Sequence, residues 1–312
     1  ARRAISDDLN ARCGAATKPE EFFLGCGAAP ELVSVFRALA VPGGELLTVA
    51  PYFPEYKPFA EEAGLIFKVV PPDVPDFQIN LEALTAMLTP NTQAVLLNSP
   101  NNPSGVVYTR QTLEALAAIL RKKAAAFGHP IYLISDEPYR ELVYGVEVPY
   151  LPAIYPDTII CYSYSKSLSL PGERIGYVLV PGSCADSQMV YAAVAGAARS
   201  CGHVCAPSLW QKVIARCAHL RPDLVSYDRN RQALYQGLTA MGYKMAKPDG
   251  AFYLFIQAPG GDANKFSDLA KKENLLLVPG DGFGCPGYFR ICYCVSYDMI
   301  QRSLPVFREL LN

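Results

Sequence analysis

The sequence predicts an α/β protein: a large domain with a mostly parallel sheet sandwiched by helices, then a smaller C-terminal α+β domain. Three observations lead there. Short apolar runs alternate with amphipathic stretches through the first two thirds of the chain, the pattern of βαβ units. Runs such as AVLL at 94–97 and IYLI at 131–134 are apolar without a break, as strands buried on both faces are. At 312 residues the chain also exceeds what one core usually holds, about 250–300 residues.

The elements follow in order. The opening ARRAISDDLNARCG has no leader pattern and reads as a helix already under way, with further residues expected upstream. Strands are expected at Glu21–Leu24, Glu45–Ala50, Phe67–Val70, Ala94–Leu97, Ile131–Ser135, Thr158–Tyr162 and Gly176–Val180. Helices are expected between them at Pro30–Ala40, Pro54–Ala63, Leu81–Leu88, Arg110–Phe127 and Cys184–Arg199, where the apolar residues recur at helical spacing. The pattern changes after about residue 220. A long helix is expected over Ser226–Met241, then strands at Phe252–Ile256, Leu275–Val278 and Tyr288–Val295, with a helix near Asn264–Lys272. A last amphipathic helix covers Asp298–Leu311. The Arg221-Pro222 step marks the boundary, giving domains 1–222 and 223–312.

Composition excludes several classes. Residues are 51% hydrophobic and 18% charged, which rules out a disordered chain. Lys plus Arg number 28 against 29 Asp plus Glu, so there is no basic excess and no nucleic-acid partner is expected. The longest apolar stretch, Met189–Ala198, is too short to span a bilayer, so no membrane role is expected. Ten cysteines without paired spacing read as reduced thiols of a cytoplasmic protein. Cys201, His203 and Cys205 have a metal-like spacing, but no second ligand pair lies nearby and no metal is expected. Cys292 and Cys294 alternate along a strand toward one face, which reads as core packing.

Ligands of open parallel sheets sit outside the carboxyl ends of the strands. Those ends carry Gly25-Cys26-Gly27; Pro51, Tyr52 and Phe53; Asn101 to Gly105; Asp136 to Tyr139; and Ser163 to Lys166. Taken singly, an Asp after a strand is a helix cap and Asn-Asn-Pro-Ser-Gly is a turn. Together they bring an acid, an amide, a phenol, a lysine, an aromatic ring and a glycine turn to one edge.

SPNNPSG (99–105), SDEPY (135–139) and SYSKSLSLPGERIGY (163–177), in this order, resemble the signature of the pyridoxal-phosphate aminotransferases of classes I and II, fold type I. PDGAFY (248–253) and YFRI (288–291) resemble that family's C-terminal lobe, and the likeness covers nearly the whole chain. The resemblance implies pyridoxal 5'-phosphate as cofactor and amino transfer from an α-amino acid to a 2-oxo acid. It implies Lys166 as the Schiff-base lysine, Asp136 as partner of the pyridine nitrogen, and Tyr139 with Asn102 as partners of the cofactor's phenolic oxygen. Phe53 matches the ring that stacks on the pyridine. Gly27, Ala28 and Ala29 would offer backbone N–H groups to the phosphate at a helix start, with Ser163, Ser165 and Arg174 as side-chain contacts. Arg290 would clamp the substrate α-carboxylate. A homodimer is implied, and the sequence is expected to start after the family's N-terminal arm. The same scaffold hosts carbon–sulfur β-lyases, decarboxylases and cyclopropane-forming synthases, and some transcription regulators carry such a domain as a sensor.

Overall fold

The computed structural model describes residues 1–311. In chain order the helices are α1 Arg2–Cys13, α2 Ala28–Leu39, α3 Tyr56–Glu62, α4 Leu81–Met87, α5 Arg110–Phe127, α6 Leu151–Ile154, α7 Tyr164–Ser167, α8 Ser187–Ser200, α9 Ser208–Cys217, α10 Leu224–Ala240, α11 Ala263–Lys272 and α12 Tyr297–Glu309. The strands are β1 Phe22–Gly25, β2 Glu45–Val49, β3 Ile66–Val70, β4 Thr92–Asn98, β5 Tyr132–Asp136, β6 Thr158–Ser163, β7 Gly176–Leu179, β8 Tyr253–Gln257, β9 Val278–Pro279 and β10 Tyr288–Cys292.

Seven strands form one sheet in the order β1-β7-β6-β5-β4-β2-β3. The run β3-β2-β4-β5-β6 is parallel, and β7 lies antiparallel to both β6 and β1. The expectation of a mostly parallel sheet is therefore met. Its two faces bury separate cores. On one side Val35, Phe36 and Leu39 of α2 and Val190 and Val194 of α8 pack on Leu46, Ala94, Ile134 and Val178. On the other, Leu113, Leu116 and Leu120 of α5 pack on Leu47, Val95, Leu97 and Leu133. Alternate residues of β2, β4 and β5 go to opposite faces, so both must be apolar, which is why these strands read as continuous apolar runs.

The later part of the chain has its own three-stranded antiparallel sheet, β8-β10-β9. Its buried face joins Leu254, Ile256, Phe289, Ile291 and Tyr293 with Leu234 and Leu238 of α10 and Phe307 of α12. Phe289, Ile291 and Tyr293 fill that core, so by alternation Arg290, Cys292 and Cys294 take the other side. Cys292 and Cys294 do share a face, as expected, but both are exposed. The core-packing expectation for them is wrong, because the odd-numbered neighbours already occupy the core. β9 is only two residues long, and α9 has no counterpart in the sequence reading.

Candidate active site

The site is built where β4, β5 and β6 end side by side. Register pairs Asn98 of β4 with Asp136 of β5, and Asp136 with Cys161 of β6. This brings the Asn-rich turn, the acid and the lysine-bearing segment together. Ser163 ends β6 and caps α7, accepting from the Ser165 N–H at 3.2 Å. That short helix carries Lys166.

Asp136 is buried, 5% exposed. Its Oδ2 accepts from the Tyr56 hydroxyl at 2.5 Å, and Asn98 Nδ2 donates to its backbone oxygen at 2.8 Å. Its other carboxylate oxygen, Oδ1, is buried without a hydrogen-bond partner. Burial pushes the Asp136 carboxyl up to about 7, the Tyr56 hydrogen bond opposing and the Glu137 charge adding. A buried carboxylate oxygen without a donor costs free energy unless a ligand supplies one. Just beyond, the Asp-Glu-Pro-Tyr turn is held by Arg140, which donates to Glu137 at 2.8 Å and lies over the Tyr162 ring.

Asn98 also fixes the next turn, its Oδ1 accepting from the Asn102 N–H at 2.7 Å. Gly105 closes that turn at φ +71, where a Cβ would come within 2.8 Å of Pro248 and of the Tyr253 carbonyl. No side chain fits between the turn and the small sheet there. The Asn102 side-chain oxygen accepts from Arg290 Nη1 at 2.8 Å, so a residue of β10 reaches across to the large sheet. The Arg290 guanidinium is flanked by the Tyr253 ring at 4.6 Å and the Phe283 ring at 5.0 Å. Tyr139 shares a 3.1 Å hydrogen bond with Tyr253.

One cavity of about 400 Å³ collects these groups. Ala28, Ala29, Phe53, Asn102, Asp136, Tyr139, Ser163, Ser165, Lys166, Arg174 and Arg290 all line it. Of the expected residues only Gly27 is not among the lining. Gly27 sits one residue before α2 at φ +97, and a Cβ on it would come within 2.7 Å of the Arg174 guanidinium. Arg174 is thereby pressed against the start of α2 and also donates to the Pro171 carbonyl at 2.7 Å. Burial holds the Lys166 amine below its ordinary value; the nearby Cys294 thiol opposes this, and the Arg290 and Arg174 charges add to it.

Sequence reasoning missed Tyr56, Asn98 and Tyr253. Tyr56 opens α3, three residues after Phe53, and no local pattern marks its reach to Asp136. It also missed Glu31, which is fully buried in the first turn of α2 with both carboxyl oxygens unpartnered. The C-x-H-x-C segment holds no metal set: His203 Nε2 meets the Ser34 hydroxyl and the Pro30 carbonyl, each at 3.2 Å. Among the described residues no three His, Cys, Asp or Glu side chains group as metal ligands. A second groove, of about 500 Å³, runs along the small lobe past Leu276, Met299 and Phe307 and lacks this set of polar groups.

A lysine of depressed basicity, a buried acid and two arginines around one cleft define an enzyme that handles an anionic ligand and moves protons. The chain belongs to the family of aminotransferases of class I and II, whose model matches residues 1–305. It is 28% identical to an aspartate/prephenate aminotransferase of Thermus thermophilus, over 100% of this chain and 80% of that one. It is 30% identical to an aspartate aminotransferase of Thermotoga maritima, over 100% of this chain and 81% of the other. A crystal structure of an amino transferase from Eubacterium rectale superposes with a TM-score of 0.97 at 50% identity, covering 99% of this chain and 78% of that one. The protein is a pyridoxal-phosphate-dependent aminotransferase of fold type I. These relatives are aminotransferases, so the lyase and sensor readings are not favoured. No described helix is long and apolar enough to cross a membrane.

Proposed function

We propose that Lys166, Asp136 and Arg290 divide the work of amino transfer between them. When bound, pyridoxal phosphate supplies an aldehyde for the amino group and a cationic ring that accepts the electron pair left when Cα loses its proton. Asp136 keeps the ring nitrogen protonated; the supporting observation, and the one that carries the reading, is its buried Oδ1 left without a donor beside the Lys166 cavity. Phe53 covers one ring face, and Tyr139 and Asn102 serve the phenolic oxygen. Backbone N–H groups at Gly27, Ala28 and Ala29, with Ser163, Ser165 and Arg174, take the phosphate. Support comes from the first turn of α2 and Arg174 meeting at one end of the cavity.

Lys166 anchors the cofactor and, once displaced, moves the proton from the substrate Cα. A neutral amine is required, and its burial beside two arginines favours one. Arg290 takes the α-carboxylate through its guanidinium fork, oriented by Asn102, Tyr253 and Phe283. The donor is of the aspartate or aromatic type: the names of the relatives support the first and the aromatic lining the second. We take residues 1–222 and 223–312 as the two domains, the separate second sheet and the start of α10 at Leu224 favouring that cut. A cytoplasmic homodimer is part of this reading: the dimer rests on the family resemblance, and the compartment on the ten free cysteines.

The test is an absorbance titration of the cofactor-loaded protein with single amino acids and no oxo acid. Stoichiometric conversion of the cofactor to its amine form is expected, fastest with the true donor, and Lys166→Ala should abolish turnover. Steady release of ammonia without that conversion, or multiple turnovers at normal rate by Lys166→Ala, would overturn the reading. Sedimentation of the loaded protein tests the dimer.

A further inference from the structure

Lys166 sits on α7, a helix of four residues. One turn does not hold its own orientation, since helices shorter than about 12 residues are marginal without outside contacts. Its Leu168 N–H reaches the Tyr164 carbonyl at a long 3.3 Å. An outside contact comes through Ser167, the residue after the lysine. The Ser167 hydroxyl meets the Tyr162 hydroxyl at 2.7 Å, and Tyr162 donates to Glu141 Oε2 at 2.9 Å. Burial and the Glu141 charge push the Tyr162 phenol well above its ordinary value, so it keeps its proton. That one proton goes to Glu141, and Ser167 therefore donates to Tyr162. Glu141 Oε1 accepts in turn from Arg12 Nη1 of α1 at 2.9 Å, and Arg12 Nε donates to Asp8 at 3.0 Å. Ser167, Tyr162 and Glu141 are all buried, and none of them lines the Lys166 cavity.

We propose that Glu141, Tyr162 and Ser167 are positioning residues for the reaction: their hydrogen-bond chain fixes the rotation of α7 and with it the aim of the Lys166 amine. The inference rests on the role proposed for Lys166. Neighbouring residues on a helix point about 100° apart, so holding Ser167 on one side sets Lys166 on another. The anchor itself is stiff. The Tyr162 ring stacks on Tyr177 with centroids 4.9 Å apart, and the Arg140 guanidinium lies 4.4 Å from its centre. Arg140 donates to Tyr177 and to Glu137, each at 2.8 Å, and to Glu141 at 3.4 Å. No member of such a buried network moves without leaving another unsatisfied. Through Arg12, the first helix of the chain helps to place the lysine.

The amine aimed in this way lines the cavity with Asp136, Tyr139, Arg174 and Arg290, and stands 5.5 Å from the centre of the Phe252 ring. Burial there depresses its basicity, Cys294 opposing and the two guanidinium charges adding. An amine swung out of that place returns toward its ordinary basicity.

In the cofactor-free protein, Lys166 is acetylated with acetic anhydride over a range of pH, and tryptic peptides are counted by mass spectrometry. Unmodified lysine releases Glu141–Lys166, and acetylation extends that peptide to Arg174. The midpoint of acetylation should move to higher pH in Tyr162→Phe and in Ser167→Ala. In the loaded enzyme both variants should lose about tenfold or more in kcat, with KM for the amino acid changed less than about twofold. The double variant should be no worse than Tyr162→Phe alone, because both substitutions cut the same chain. Should Tyr162→Phe fail to fold, Ser167→Ala, which leaves every ion pair intact, decides alone. An unchanged midpoint in Ser167→Ala, or losses in kcat that multiply in the double variant, would overturn the inference. So would a lowered Tm with kcat preserved, the mark of a chain that only supports the fold. Normal turnover by Lys166→Ala would instead be a failure of the catalytic reading, and the acetylation midpoint would still decide whether the chain places the amine.

Discussion

The two sides of the cleft are built differently. On the large sheet the functional groups stand at the ends of buried parallel strands. Asp136, Asn98, Asn102 and Ser163 are all 5% exposed or less, and each is held by hydrogen bonds. On the small sheet Arg290 projects from an antiparallel strand whose other side faces the core, and its neighbours Cys292 and Cys294 are exposed. A buried polar cluster is rigid because any displacement leaves a group unsatisfied. A guanidinium held by one hydrogen bond and two ring faces can move without that penalty. In the function proposed above, the rigid side is the one that fixes the cofactor and the freer side the one that engages and releases substrate.

If this division is right, damage to the large side strikes the chemistry itself. Asp136→Ala should lower kcat/KM by about three orders of magnitude or more, as loss of a preorganised charge at the reacting centre does. The measurement is steady-state kinetics on protein whose fold is checked by circular dichroism. A loss smaller than tenfold would place the acid outside the reaction.

Damage to the small side should divide the other way. Arg290→Lys keeps the charge but loses the planar fork, the ring contacts and the geometry toward Asn102. KM for the amino acid should rise roughly 10- to 100-fold, with kcat changing far less, the pattern of lost ground-state binding. Cofactor affinity, followed by equilibrium dialysis, should not change. If cofactor binding fell while KM stayed constant, the comparison between the two sides would be reversed.

The same contrast explains what could be read from the chain. Buried parallel strands leave continuous apolar runs, so all seven strands of the large sheet were legible, within a few residues at each end. The chemical residues that follow them were legible because they cluster in short segments: Asp136 to Tyr139, and Ser163 to Lys166. Tyr56 was not, since its only signal is a contact with a residue 80 positions away. Cys292 and Cys294 were placed on the correct common face but assigned to the wrong environment. Period-2 alternation says which residues share a side, and only packing says which side is inside. Val278 was expected to end a strand and instead begins a two-residue one, because β9 pairs with β10 only at Phe289 and Arg290.

The smallest predicted effect isolates the orphan oxygen of the large side without using activity. In the cofactor-free protein the folded-state value of Asp136 is raised to about 7 from an ordinary 3.8, chiefly by burial. The folded protein then binds more protons than the unfolded chain between these two values. Stability is full below the unfolded value and falls as pH rises toward the folded one. Between pH 4.5 and 7.5 this group should cost about 3 kcal/mol, at about 1.4 kcal/mol for each pH unit between the two values, and so lower Tm by several degrees. Asp136→Asn cannot ionise, so the variant should lack that part of the slope. Glu137 stays raised by its own burial in both proteins, and Glu31, also raised chiefly by burial, loses only the smaller push from the Asp136 charge. Loading the wild type with cofactor should flatten the slope too, because a protonated ring nitrogen gives Oδ1 the donor it lacks. Identical Tm profiles for wild type and Asp136→Asn would show that the carboxyl is already ionised without the cofactor. The buried acid would then have a donor from elsewhere, and the rigidity assigned to the large side would have to be supplied by other groups.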